Sequence, residues 1–202
     1  MSPDESRLDA QAMRSALRGG TIGRDVLVLD ETTSTNDLIF GIVTAATPEG
    51  LVVLAERQTA GRGQHGKHWE SAAGQGLWFS ILLRPSITPQ EAPRLTSCAA
   101  ESVAETIRRE LSLDVTVKPP NDVYVSGGKI AGVLLEMRVV TGETHLGILG
   151  IGINVNHQPE DFTPELRGSA GSLAMELGRP VDRQTLAIAV LRDLDRTYAA
   201  NF

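Results

Sequence analysis

Cysteine is almost absent from the sequence: Cys98 stands alone among 202 residues. A single thiol forms no internal disulfide, and metal clusters built from cysteine are excluded with it. Its surroundings, "LTSCAAESVAETI", read as a helix in which Cys98 is expected as a small buried apolar residue and not as a nucleophile. Long apolar runs are missing as well. Apolar residues make up 41% of the chain, but no stretch approaches the roughly 18 uninterrupted ones that a membrane-spanning helix needs, so a soluble protein without a membrane partner is expected. Basic excess is missing too: the formal charge is -6, which argues against nucleic-acid binding, because phosphate neutralisation needs a clustered basic surface. The opening "MSPDESRLDA" is acidic and polar, the wrong chemistry for a signal or transit peptide, and the cytoplasm is the expected location.

No repeat, low-complexity tract or linker divides the chain, whose length suits one domain spanning 1-202 with a sizeable core. An N-terminal helix is expected within residues 1-20, over about Glu5 to Leu17 and ending at Gly19-Gly20, ahead of a core over 25-200. "DVLVLD" reads as a strand, and "TTSTND" offers oxygen-bearing side chains to cap the helix "NDLIFGIVTAA". "LVVLAE" and "GLWFSILL" read as further strands. From Ala92 to Leu111, Leu95, Cys98, Ala99, Ser102, Val103, Thr106 and Ile107 recur at the spacing of one helical face. Strand-rich runs follow at "DVTVK", "DVYV", "KIAGVLLEMR" and "THLGILGIGINVN", with Gly127-Gly128 placed where a tight hairpin needs positive φ. A short helix over Ser169 to Leu177 and a closing one from Asp182 complete the pattern. Consecutive, hairpin-linked strands predict an α/β (α+β) fold with a mixed, largely antiparallel sheet covered by helices, not a doubly wound parallel one.

In Gly150-Ile151-Gly152-Ile153-Asn154-Val155-Asn156, strand alternation sends Ile and Val to one face and Gly and Asn to the other. The second face has lost its bulk, as a closely approaching ligand or backbone requires, although a solvent face near a strand end reads the same way. In "GGKIAGVLLEM", Lys129 opens a strand with Ala131 and Gly132 leaving room beside it; a solvated edge charge is the alternative. The densest stretch is "GRGQHGKHW". Gly61, Gly63 and Gly66 allow a loop to aim N-H groups inward, Arg62 and Lys67 add positive charge, and Trp69 adds an apolar plate, with His65 and His68 expected in solvent. The loop is neither the phosphate loop of nucleotide triphosphatases nor a dinucleotide fingerprint, since the required spacings are absent.

Taken in order, "STND", "ERQTAGRGQHGKHW", "VKPPNDVYVSGGKIAGVLLE" and "GIGINVN" resemble the motifs of the biotin protein ligases, also called biotin-[acetyl-CoA-carboxylase] ligases, over about Asp30 to Asn156. The resemblance implies the catalytic fold shared with lipoate ligases and related to class II tRNA synthetases. It implies ATP and biotin as substrates with Mg²⁺: biotin is activated as biotinyl-5'-AMP and passed to a lysine of the biotin carboxyl carrier domain of acetyl-CoA carboxylase or a related carboxylase. By the same resemblance Lys129 bridges the biotin carboxyl and the α-phosphate, Arg62 meets phosphate charge, and Asp122 orients the nucleotide or metal or receives the incoming lysine. Ser34, Thr35, Asn36 and Gln58 would hold biotin, with Gly61, Gly63, Gly132, Gly150 and Gly152 lining its wall. Gln64, Lys67, Trp69, Asn121 and Asn154 would face the nucleotide. No dedicated metal cage is implied, since Mg²⁺ rides on phosphates, near Asp122.

The chain departs from the family pattern at three places. Gln64 stands where an arginine is usual, with Lys67 as the next basic position, so the loop carries less charge and is expected to release the adenylate sooner. Pro119 replaces a tryptophan; Pro119-Pro120 is expected to give an extended approach to Asn121. The sequence shows neither the small C-terminal β-barrel nor the N-terminal DNA-binding domain that members carry, which makes a repressor role unexpected. Two alternatives stay open: a lipoate ligase, or a degenerate module that holds biotin or its adenylate without transferring it. Monomer and homodimer read alike.

Overall fold

The computed structural model describes residues 7-44, 46-138 and 145-202. Seven strands form one sheet: β1 (Asp25–Thr32), β2 (Leu51–Gln58), β3 (Gly76–Leu83), β4 (Val115–Lys118), β5 (Asp122–Val125), β6 (Gly128–Arg138) and β7 (Leu146–Asn154), in the order β1-β2-β3-β7-β6-β5-β4. β1 and β2 run parallel, joined by the crossover helix α2 (Thr35–Ile42), and every other neighbouring pair is antiparallel. The expected mixed sheet is therefore present.

One face of the sheet carries the main core. α3 (Ala92–Leu111) and the closing α5 (Arg183–Asn201) pack there, with α1 (Ala10–Ala16) at the β1 end. Leu95, Ala99, Val103 and Ile107 recur along the apolar stripe of α3 and bury against Val123, Val133 and Ile151 of the sheet. Cys98 lies at the border of that stripe and is half-buried, not fully buried as its neighbours suggest. Arg183, at the start of α5, is almost wholly buried and is held by Glu56 of β2 at 2.7 Å and by the Gly76 carbonyl at 3.0 Å, which pins the helix to the sheet. Among the described residues no helix is long and apolar enough to cross a membrane.

Among the described helices, α2 covers part of the opposite face. Ile39 packs there with Leu51, Val53, Leu82 and Ile148 in a smaller core, and the rest of that face stays open for the site.

Several element ends differ from the sequence reading. α1 starts at Ala10 because the Asp9 carboxylate accepts the N–H groups of Gln11 and Ala12, while Leu8 is tied by its N–H to Glu56. The expected helix over 169-177 is only α4 (Leu173–Leu177), since the Ser172 hydroxyl accepts the Met175 N–H and caps it late. In the β5-β6 hairpin, Val125 pairs with Gly128, and the positive φ values fall on Ser126 (49°) and Gly127 (87°), not on Gly127-Gly128. Positive φ at both central residues marks a type I′ turn, whose twist matches the strands. Residues 119-121 form a turn, so the approach to Asn121 is bent and not extended; the Pro119-Pro120 bond is cis.

Candidate functional site

Cross-strand register builds the floor of the site. Trp78, Gly152 and Gly132 form one rung across β3, β7 and β6; Ser80, Gly150 and Leu134 form the next; Leu82, Ile148 and Glu136 form the third. The glycines of these rungs, Gly132, Gly150 and Gly152, stand where side chains would otherwise be, and the protein itself uses the room. A Cβ on Gly152 would lie 2.5–2.8 Å from the Trp69 ring, and one on Gly132 2.9 Å from it. A Cβ on Gly150 would come within 2.5 Å of the Asn36 amide oxygen. The alternation expected for "GIGINVN" holds, with Ile151, Ile153 and Val155 buried on the opposite side.

Trp69 reaches the floor because the glycine loop folds back on itself. The Trp69 N–H donates to the Gly61 carbonyl at 2.9 Å and the Gly63 N–H to that of Lys67 at 2.7 Å, around a single 3₁₀ turn over Gln64–Gly66. Gly61 is buried under this closure, since a Cβ there would lie 2.5 Å from the Trp69 carbonyl oxygen. His65 and His68 are exposed, as expected. The Trp69 ring meets Trp78 edge to face at 6.3 Å, and Trp78 meets His157 at 5.5 Å, which stacks on Phe162 at 5.0 Å. Burial lowers the His157 pKa from 6.5 to about 4, against a smaller upward pull from Asp161, so the imidazole inside this aromatic row is neutral.

Polar groups close the far end. Gln58 Oε1 accepts the Thr35 N–H at 2.8 Å and the Thr35 hydroxyl at 3.2 Å, and Gln58 Nε2 donates to Ser71 at 3.4 Å. The Thr35 and Ser80 hydroxyls meet at 2.6 Å, and Ser80 donates to the Asn36 amide oxygen. Ser34 begins α2 without donating or accepting a capping bond through its side chain, against the sequence expectation, and is buried in the wall.

Two cations border this space. Lys129 Nζ lies 2.7 Å from Asp122 and 5.4 Å from the centre of the Trp69 ring. Its direction depends on an irregularity: Val123 pairs with Ala131 but Tyr124 with Lys129, so Ile130 is an extra residue in β6. Ile130 and Ala131 both turn into the main core, and Lys129 is delivered to the open face. Ala131 therefore does not border Lys129 in the site, contrary to expectation, whereas Gly132 does, with a would-be Cβ 3.5 Å from Lys129 Cε. Arg62 Nη2 donates to Asp37 and to Glu136, each at 2.7 Å.

These groups enclose two connected spaces. The narrow one, about 40 Å³, is lined by Ser34, Thr35, Asn36 and Gln58 at one end, by Gly132, Gly150 and Gly152 below, and by Arg62, Gly63, Trp69 and Lys129 around its mouth. The wide one, about 470 Å³, takes in Lys67, Asp122 and Asn154; Gln64, Asn121 and Lys129 border both. All the sequence-predicted residues except Gly61 thus line one or other space. Some are already engaged: Asn154 Nδ2 donates to the carbonyls of Lys129 and Gly171, and Asn121 Nδ2 to that of Val133. Sequence reading missed Phe162 and Leu166 on the wall of the wide space, which come from a stretch without strand or helix periodicity, and Ala170, which it placed in a helix. It also missed Asp37 and Glu136, the partners of Arg62, although Asp37 stands inside "STND".

The sheet order, the glycine floor and the loop folded over it define the biotin and lipoate ligase class of fold. The solved biotin protein ligase from Aquifex aeolicus in complex with biotin and ATP superposes with a TM-score of 0.75 at 30% identity, covering 86% of this chain and 70% of that one. The bifunctional ligase/repressor BirA of Bacillus subtilis is 35% identical over 192 residues, 95% of this chain and 59% of that protein. The biotin--[acetyl-CoA-carboxylase] ligase of Mycobacterium tuberculosis is 35% identical over 195 residues, 93% of this chain and 70% of that protein. Residues 28–154 match the Biotin/lipoate A/B protein ligase family, and the chain belongs to it.

Proposed function

We propose that the protein, through a catalytic core over residues 25-200, activates biotin with ATP and transfers it to a lysine of a biotin carboxyl carrier domain, in the cytoplasm. The observation that carries this reading is that Lys129 and Arg62 border the same narrow space over a floor of Gly132, Gly150 and Gly152. The biotin carboxylate attacks the α-phosphorus of ATP, forming biotinyl-5'-AMP and expelling pyrophosphate. The ε-amine of the carrier lysine then attacks the activated carbonyl, gives up a proton, and AMP leaves. Both first reactants are anions, so their approach requires fixed positive groups, which these two cations supply.

The ring end of biotin would sit against Ser34, Thr35, Asn36 and Gln58, where donors and acceptors alternate, with Gly61 and Gly63 shaping the loop above it. The adenylate would extend past Trp69 into the wide space, where Gln64, Lys67, Asn121 and Asn154 face it and Phe162 adds an apolar wall. The wall of carboxylate and amide oxygens at Asp122 and Asn121 suits Mg²⁺ held mainly by the phosphates, where it would offset their charge. Asp122 then has a second role, accepting the proton of the incoming lysine. Carboxylic acids of other shape, lipoate included, lack the ureido group that the closed end would read. Mass spectrometry of a carrier domain incubated with the protein, biotin and Mg-ATP tests the reading: one biotinyl addition at one lysine is expected, and no addition with either biotin or lipoate overturns it. Addition from lipoate alone would replace the substrate and keep the reaction.

A further inference from the structure

Glu136 occupies the third rung of the floor, beyond Gly132 and Leu134 on the same face of β6, and its side chain is about one-quarter exposed (26%). One oxygen, Oε2, accepts from Asn36 Nδ2 at 2.7 Å and from Arg62 Nη2 at 2.7 Å. Neither motif reading nor the chemistry of the reaction assigns this carboxylate a part. We propose that Glu136 is the positioning residue that joins the glycine loop to the closed end of the cavity and sets the polarity of that end.

Which groups donate sets the direction of every bond in this network. A carboxylate only accepts, so Glu136 requires the NH₂ of Asn36 to face it and turns the Asn36 carbonyl toward Ser80. Ser80 spends its hydrogen on that carbonyl, which leaves its oxygen to accept from Thr35, and Thr35 in turn shares its hydrogen with Gln58 Oε1. Gln58 then presents its NH₂ to Ser71. The path runs from Arg62 at one end of the glycine loop to Ser71 beyond the other, through Glu136, Asn36, Ser80, Thr35 and Gln58. Both ends of the loop are thereby stapled to the start of α2 and to the sheet. Asp37 also holds Arg62, but no bond from it enters this path. Replacing Glu136 by glutamine removes one of the two charges that hold Arg62 and permits the Asn36 amide to turn over, after which each downstream hydroxyl loses its assigned direction.

The assignment to biotin rests on the function proposed above, whereas the stapling of the loop does not, and the two are read by separate measurements. In Glu136→Gln without ligand, hydrogen exchange at the Gly63 and Trp69 amides is expected to accelerate about tenfold, as the loss of a charge-assisted bond permits. In the adenylation assay the same variant is expected to raise KM for biotin about tenfold while kcat changes less than threefold, with Glu136→Asp recovering part of the loss. Asp37→Asn should raise KM by less than Glu136→Gln. Unchanged exchange at both amides in folded Glu136→Gln overturns the proposal, as does an equal effect of Asp37→Asn on KM. Should Glu136→Gln not fold, unchanged exchange in Glu136→Asp decides in the same way. If the parent protein releases no pyrophosphate with biotin, the substrate reading falls and exchange alone decides the positioning role.

Discussion

Lys129 and Asp122 form an ion pair of 2.7 Å at the boundary between the narrow and wide spaces, with Lys129 held over the Trp69 ring. Both side chains are partly exposed, so the pair contributes at most about 1 kcal/mol to stability, and its value lies in where it holds the ammonium. On the proposed reading, an incoming pair of anions would meet a cation already in place, with a carboxylate beside it for the second step.

Lys129→Gln keeps most of the length and removes the charge. Pyrophosphate release with biotin and ATP is expected to fall by roughly two or more powers of ten, the loss typical of one electrostatic stabiliser. Undiminished release in a stopped assay would remove Lys129 from the first step.

Gln64 faces both spaces as a neutral side chain. Gln64→Arg adds a cation toward the phosphate of the adenylate, and the half-life of enzyme-bound biotinyl-5'-AMP is expected to lengthen about tenfold, in line with a hydrogen bond to a charged group. Equal half-lives in parent and variant refute the idea that this position loosens the adenylate.

Gly152→Ala places a methyl group into the Trp69 ring, inside the closest approach that carbon atoms make. Overpacking of this kind costs about 1–3 kcal/mol, and Trp69→Ala in the same chain should relieve it. A double-mutant cycle by urea unfolding is expected to show a coupling of at least about 0.5 kcal/mol between the two positions. Strict additivity would show that Trp69 does not rest on the floor in solution.

His157 supplies a pH dependence with a defined sign. Its pKa falls from 6.5 to about 4 on folding because burial disfavours the imidazolium. Between those values the unfolded chain binds more protons, so stability is full above about pH 6.5 and declines as the pH drops toward 4, by roughly 3 kcal/mol at most. His157→Leu should flatten this part of the stability profile in urea titrations at successive pH values, whatever constant offset it adds. An unaltered slope would assign the acid sensitivity to other groups.

Local pattern was enough for much of the architecture. β3, α3 and β5 begin and end where their residues predict, because a continuous bulky apolar run, a sustained apolar stripe and a short alternating run each stand out locally. α1 and α4 are shorter than expected because single side chains, Asp9 and Ser172, decide where the first turn starts, and capping geometry leaves a weaker trace than periodicity. The loop motif, the lysine and the glycine-rich strand were each visible as pieces. What they touch was not: that Trp69 fills the room above Gly132 and Gly152 follows from strand register between β6 and β7 and from the fold of a loop with no periodicity of its own.

The mixed sheet, the glycine-stripped face of β7 and the basic, glycine-rich loop could be read from the residues in order, because side-chain period and turn propensity act over a few neighbours. Which way Lys129 points could not, since it depends on contacts between strands. Strict alternation back from Gly132 would send Ile130 to the open face and Lys129 into the core, and the extra residue that reverses this is set by pairing with β5. The tertiary structure also decided that Arg62 meets Asp37 and Glu136, residues 25 and 74 positions away in the chain, since attraction between charges depends on their separation in space and leaves no mark in local order.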